Sequence, residues 1–343
     1  MTVTEITDDQ RSAADELAVL SVHDLDVRYD VGRGKTVRAV KDVSFDLRRG
    51  ETLGVVGESG CGKSTLARAL VRMTKIASGS IAFDGNDLVG MSRRELRQIR
   101  PRLQMIFQDP VSSMNPRRKV RDIVAEPLSI WNWKTPEERA GRVDELLDLV
   151  GMPSDVFGER RPQQLSGGQC QRVSIARALA LSPSVIICDE PVSALDMSVQ
   201  AQVLNLLEDL KAALGLTLLF ISHDLSVVKN ISDRIAVMYL GRIVELTTSE
   251  ALYEAPAHPY SQGLLGSIPT VDDTESPAKR RLTGELPSPV DPPSGCHFRT
   301  RCPFAQDRCA NEKPELRHIA DGHLVACHFP QHGAAPWRDD RGA

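Results

Sequence analysis

The chain has 343 residues, with 42 Lys and Arg against 46 Asp and Glu and a formal net charge of -4 at pH 7, so no basic excess favours bulk binding to nucleic-acid phosphates. At 41% hydrophobic and 26% charged residues it has the composition of a soluble globular protein, long enough for one large domain with an appendage or for two. The stretch 1–16 is polar and acidic, unlike a secretory signal. The apolar-rich runs near 178–188 and 212–222 fall short of the roughly 20 residues of a spanning helix, so any work at a membrane is expected to be done by docking to it.

Residues 1–19 are expected to form a flexible lead. From Leu20 to about Leu246, short β-branched runs alternate with helical stretches, which is the pattern of an α/β domain. A strand is expected over 25–28, ending at Tyr29, and another over 52–56, followed by a glycine-rich turn and a helix from Lys63. Residues 91–149 are charged and helical in pattern, with Trp131 and Trp133 among them. A strand is expected to end at Gln108, and most of the stretch predicts a helical subdomain, about 91–180, set into the α/β core. The runs 185–188 and 216–221 are almost wholly apolar, as strands of a parallel sheet buried on both faces are. Helical segments follow at 249–254 and 260–265, then a Pro-rich, semi-rigid connector at 287–293. The pattern implies a domain over 20–250 and an extension over 251–343, without internal repeats.

Gly57-Glu58-Ser59-Gly60-Cys61-Gly62-Lys63-Ser64, followed by Thr65, fits G-x-x-x-x-G-K-[ST] between a strand and a helix. The glycines let backbone N–H groups curl around phosphates, Lys63 reaches the β and γ phosphates of ATP, and the Ser64 hydroxyl ligates Mg²⁺. The helix start adds its positive end. At the carboxyl end of the apolar strand 185–188 stands Asp189, placed to bind Mg²⁺, and then Glu190, placed to polarise an attacking water. Leu165-Ser166-Gly167-Gly168-Gln169 is a second glycine-rich segment at a helix start. It suits either a second anion or a plain N-cap by Ser166.

These segments, in this order with Gln108 and His223, resemble the ATP-binding cassette of ABC transporters. The continuation 171–178 is similar to that family's signature helix, and Ser193-Ala194-Leu195-Asp196 to its D-loop. The resemblance implies a P-loop α/β fold and a head-to-tail pair of cassettes. Each ATP would lie between the Gly loop of one and the Ser-Gly-Gly segment of the other, with Asp196 crossing the interface. By the same resemblance Gln108 contacts Mg²⁺ and the attacking water, His223 contacts the γ-phosphate, and an aromatic upstream of the Gly loop, here Tyr29, stacks on adenine. A lone His after a strand is otherwise commonly structural, and Tyr29 could be a half-buried strand residue.

The run 105–117 (Met-Ile-Phe-Gln-Asp-Pro-Val-Ser-Ser-Met-Asn-Pro-Arg), His258-Pro259-Tyr260, and the segments 284–289 and 292–296 are similar to ATP-binding subunits of bacterial dipeptide/oligopeptide importers, the peptide/nickel branch. The resemblance covers about 20–328. It implies an ATPase at the cytoplasmic face of the inner membrane, partnered by a second ABC ATPase subunit, two transmembrane permease subunits and, indirectly, an extracytoplasmic peptide-binding protein. Alternatives are the same machinery importing nickel or another small solute, a soluble non-transport ABC ATPase, and a regulatory subunit that binds ATP without turnover.

Of seven cysteines, Cys296, Cys302, Cys309 and Cys327 crowd the end of the chain with spacing C-x₅-C-x₆-C-x₁₇-C. Four thiols with no export signal point to a metal rather than to disulfides. The spacing lacks paired C-x₂-C knuckles. The family resemblance implies one [4Fe–4S] cluster, outside the ATP chemistry. A Cys/His zinc site using His297, His323 or His328, or no metal at all, stays open, and Arg299, Arg301 and Arg308 stand near enough in sequence to offset a cluster's charge.

Overall fold

The computed structural model describes residues 18–32, 34–267, 282 and 284–331. The lead expected over 1–19, apart from its last two residues, lies outside them, as do 268–281, 283 and 332–343 of the extension. The strands are β1 (Ala18–Asp30), β2 (Thr36–Arg48), β3 (Thr52–Val56), β4 (Ser78–Phe83), β5 (Asn86–Asp87), β6 (Leu103–Ile106), β7 (Val185–Asp189), β8 (Thr217–Ser222), β9 (Arg234–Tyr239), β10 (Arg242–Thr248), β11 (Arg317–Ala320) and β12 (His323–Val325). They fall into two compact units. One holds the described residues up to Leu47, then 52–89 and those from Ser222 onward; the other holds 48–51 and 90–221.

In the first unit every residue of β3 is buried, and β3 pairs parallel with β9, Leu53 opposite Arg234 and Val56 opposite Val237. The helix Leu225–Ile231 packs on β3. β9 continues antiparallel into β10, and β10 into β12 and β11, a hairpin from the C-terminal extension. A second sheet has the order β2-β1-β4-β5, with Leu20 opposite Phe83 and Val22 opposite Ile81 in an antiparallel pair. Only one strand was legible there, and it proves to run from Ala18 to Asp30.

A buried carboxylate joins the extension to this core. Glu245, on β10, is 0% exposed. Its Oε1 accepts the Ala257 N–H at 2.7 Å and its Oε2 the His258 N–H at 2.9 Å. His323 Nε2, on β12, lies 2.7 Å from Oε1. Buried charge is tolerated where its lone pairs are satisfied in this way. His258 in turn accepts the Tyr260 N–H on Nδ1 and caps the helix Pro259–Leu265. Tyr239, Tyr260 and Phe298 pack with ring centroids 4.6–5.4 Å apart, the spacing of favourable aromatic pairs.

In the second unit β8, β7 and β6 form a parallel ladder, with Val185 opposite both Leu103 and Thr217. β7 and β8 are buried throughout, as their apolar runs require. The stretch 91–149 holds the helices Arg93–Ile99, Val120–Ile130 and Pro136–Leu149. The strand expected to end at Gln108 stops at Ile106, where Phe107 begins the turn. Capping boxes start two of these helices, Ser92 with Glu95 and Thr135 with Glu138. The helices Val120–Ile130, Pro136–Leu149 and Gly167–Leu179 pack together, and the last also meets the helix Met197–Leu214. Gly168 permits that contact, since a Cβ there would stand 2.3 Å from Val199 Cγ1. Among the described residues no helix is long and apolar enough to cross a membrane.

Replacing Glu245 by Ala strands two buried N–H groups and the His323 ring. Each orphaned group costs about 1–3 kcal/mol, so a loss of ~3 kcal/mol is expected in urea unfolding of the full chain. A loss well under ~1 kcal/mol would show that this carboxylate does not hold the extension in place.

Candidate active site

The Gly loop leaves β3 and enters the helix Lys63–Leu70 through Gly62. It is pressed tightly against its support: a Cβ on Gly57 would lie 2.1 Å from the Met238 carbonyl oxygen on β9. Lys63 is 4% exposed and turns its ammonium inward, donating to the Gly57 carbonyl at 2.8 Å and the Glu58 carbonyl at 3.1 Å. Ser59 and Gly60 stand exposed at the rim, and Ser64 and Thr65 lie half-buried in the first turn of the helix. Cys61 is buried, its thiol pushed up chiefly by desolvation. Tyr29, at the end of β1, is 38% exposed, with its hydroxyl 3.4 Å from Thr74 Oγ1. His223 is exposed, just before Asp224, which caps the helix Leu225–Ile231 by accepting the Ser226 and Val227 N–H groups.

The loop is also gripped from the C-terminal extension, which sequence reasoning missed. The Glu58 N–H donates to Tyr260 Oη at 2.9 Å. The Glu58 carboxylate takes both arms of the Arg301 guanidinium, at 2.6 and 3.0 Å. No local pattern announces that pair, because its members are 243 residues apart in sequence. Arg301 is therefore committed to Glu58, Arg308 pairs with Glu312, and Arg299 Nε donates to the Ser294 carbonyl.

In the second unit Asp189 closes β7 and is buried. Glu190 follows in the left-handed region, with φ +48, a conformation that costs a side-chain-bearing residue roughly 1–3 kcal/mol and that concentrates at functional sites. Its N–H donates to the Ile221 carbonyl, which helps hold that conformation. The Gln108 amide donates to Glu190 Oε2 at 2.9 Å, so these two expected site residues do meet. Ser166 and Gln169 form a reciprocal capping box at the start of the helix Gly167–Leu179. Ser166 and Gly167 are exposed and Gly168 is buried. Asp196 caps the helix Met197–Leu214, and the Ser198 hydroxyl and the Val199 N–H hold its carboxyl below the ordinary range.

Cys296, Cys302, Cys309 and Cys327 are free thiols that line one cavity with Phe298, Phe304 and Phe329. Burial pushes the Cys302 and Cys327 thiols up to about 12. Yet among the described residues no three His, Cys, Asp or Glu side chains gather closely enough for one metal ion. The structure thus brings the four cysteines to one place without forming the ready metal set expected of them. The histidines do not complete one: His323 is engaged by Glu245, and His328 Nε2 lies 3.0 Å from the Glu312 carbonyl.

A family model described as ABC transporter matches residues 40–193, and one described as oligopeptide/dipeptide transporter, C-terminal region, matches 244–309. The oligopeptide transport ATP-binding protein AppF of Bacillus subtilis is 50% identical over 328 residues, 93% of this chain and 99% of that protein. This chain belongs to the ATP-binding proteins of peptide ABC transporters. It is an ATPase with the P-loop α/β fold of that family. Solved cassettes align with it at about two thirds of its length. The dimeric cassette MJ0796 bound to ADP and Pi is 29% identical, with a TM-score of 0.61 over 67% of this chain and 98% of that one. The cbiO1 protein of Clostridium perfringens is 30% identical, with a TM-score of 0.62 over 69% and 91%.

Gly57→Ala tests the loop's seating. The added methyl must displace backbone on β9, an overpacking that costs about 1–3 kcal/mol. The expected outcome is ATP binding by the full chain weakened roughly tenfold or more, read by equilibrium dialysis. Unchanged affinity would mean that the loop tolerates another seat.

Proposed function

We propose that this ATPase energises import of di- or oligopeptides through a membrane permease. The observation that carries the proposal is the joining, in one compact unit, of a complete Gly loop and the C-terminal region that characterises oligopeptide/dipeptide transporters, with Tyr260 and Arg301 of that region bonded to the loop itself. The cassette would span 20–250, with a helical subdomain at about 91–180 and the peptide-transporter extension at 251–343. It would pair with a second ABC ATPase subunit and dock on two transmembrane permease subunits at the cytoplasmic face of the inner membrane. An extracytoplasmic peptide-binding protein would act indirectly, and no nucleic acid would be involved.

In the resting loop the Lys63 ammonium is held by two carbonyls, and ATP offers it stronger, charged acceptors. Lys63 and the loop N–H groups of 57–65 would then hold the β and γ phosphates, with Tyr29 against the adenine. Ser64, Gln108 and Asp189 supply the hydroxyl, amide and carboxylate oxygens that suit Mg²⁺, which neutralises phosphate charge when bound. Glu190 would orient the attacking water, with Gln108 fixing its carboxylate as it does here. His223 would contact the γ-phosphate. The exposed Ser166 and Gly167, with Gly168 and Gln169, would face ATP held by the partner, and Asp196 would stand at the interface. Catalysis would be positioning and charge stabilisation, without a covalent intermediate.

Glu190→Gln should bind ATP normally and lose turnover, because the amide keeps the shape without the charge that orients water. A drop of about 10²–10⁴ is expected for such a group, measured as ATP hydrolysis by the assembled complex. More than about a tenth of wild-type rate would sink the assignment.

The four cysteines are proposed to hold one [4Fe–4S] cluster. The four thiols line one cavity, and four cysteines are the ligand set such a cluster takes. Protein purified without oxygen should be brown and carry about four irons per chain, and Cys302→Ser should lose both. Colourless protein holding zinc or no metal would overturn the cluster.

A further inference from the structure

Glu58 sits inside an anion-binding loop, where a carboxylate opposes the ligand. Its side chain is 28% exposed, and its backbone N–H donates to Tyr260 Oη. The charge is met by the Arg301 guanidinium, whose side chain is 4% exposed and engages both carboxylate oxygens. Arg301 is itself held on several sides. Its N–H donates to the Phe298 carbonyl at 3.0 Å, and its guanidinium lies 5.9 Å from the centroid of the Tyr239 ring. Tyr239 packs on Tyr260, whose hydroxyl accepts the Glu58 N–H. One residue of the loop is thus gripped at its backbone and at its side chain, both times from the C-terminal extension. A bidentate Arg–carboxylate pair fixes orientation as well as charge.

We propose that Arg301 is a positioning residue for ATP: it neutralises the Glu58 carboxylate in the Gly loop, so that the extension tunes nucleotide affinity. The inference rests on the reading that this loop binds ATP. Arg301 acts through Glu58, whose two carboxylate oxygens it engages.

The test is a charge square on the full-length chain, with ATP affinity measured by equilibrium dialysis at low salt. Arg301→Met leaves Glu58 unopposed and should weaken ATP binding about tenfold, with a smaller effect at high salt. Adding Glu58→Gln to that variant removes the repulsion and should bring affinity back to within about threefold of wild type. A merely structural tie would lower the unfolding temperature of both variants and would not be rescued. Unchanged affinity in Arg301→Met, or a loss that the second substitution leaves in place, overturns the proposal. Should Arg301→Met fail to fold, Glu58→Gln alone decides: it leaves the positive charge beside the loop and should bind ATP at least as tightly as wild type, and weaker binding overturns the proposal. Lys63→Ala is the control for the underlying reading. If it binds ATP like wild type, the loop assignment itself fails; if it loses ATP while Arg301→Met does not, only the role of Arg301 falls.

Discussion

The close approach of Gly57 to the Met238 carbonyl is the contact on which the arrangement of the first unit depends. A loop that must aim several N–H groups at one anion cannot also carry side chains on its inner surface. It therefore needs a rigid floor, and β9 provides it, paired with the fully buried β3 from which the loop springs. The demand spreads outward from there. β9 is held by β10, β10 by the Glu245 carboxylate and by β12, and the loop's outer side by Tyr260 and Arg301. The extension thus supports the Gly loop as β9 does, through Tyr260 and Arg301.

Several residues proposed for catalysis also have structural work. Ser166 and Gln169 satisfy one another's backbone donors, Asp196 caps a long helix, and Lys63 occupies two carbonyls. The plain N-cap and the phosphate contact are compatible uses of Ser166, since a helix start that is exposed and capped still presents its positive end. Glu190 differs, because it adopts a left-handed backbone, with its carbonyl accepting the Ser193 N–H and hydroxyl in the same turn. Its N–H bond to Ile221 and its carboxylate bond from Gln108 hold it there, so the neighbouring strand bears the cost of a conformation that suits the site.

The parallel ladder and the motif loops were legible because each is a local signal. A four-residue apolar run such as 185–188 reads as a buried strand wherever it pairs. A G-x-x-x-x-G-K-S run carries its chemistry in eight consecutive residues. The antiparallel sheet of β1, β2, β4 and β5 was mostly hidden, because its long strands mix exposed polar residues with buried ones and bend at a bulge between His23 and Asp26. The hairpin β11–β12 was missed for a related reason. It is short and polar, with three of the four residues of β11 exposed, and only its pairing with β10 makes it strand. Glu245 and Arg301 were invisible in sequence because a buried charge is recognised by its partner, and their partners are far away along the chain.

The extension's own stability follows from the same economy. Its described C-terminal part, 284–331, has few large apolar residues, and those that are buried, Phe298 and Val325, face the first unit's core rather than one another. A segment with so little core of its own is held by specific ties: the Glu245 carboxylate, the aromatic trio of Tyr239, Tyr260 and Phe298, and the Arg301–Glu58 pair. Each tie ends on an element that also supports the Gly loop. Phe298, which lines the cysteine cavity, accepts the Arg301 N–H, and Arg301 in turn bonds Glu58 of the Gly loop. The cavity and the loop are thus separated in sequence but share one packed support.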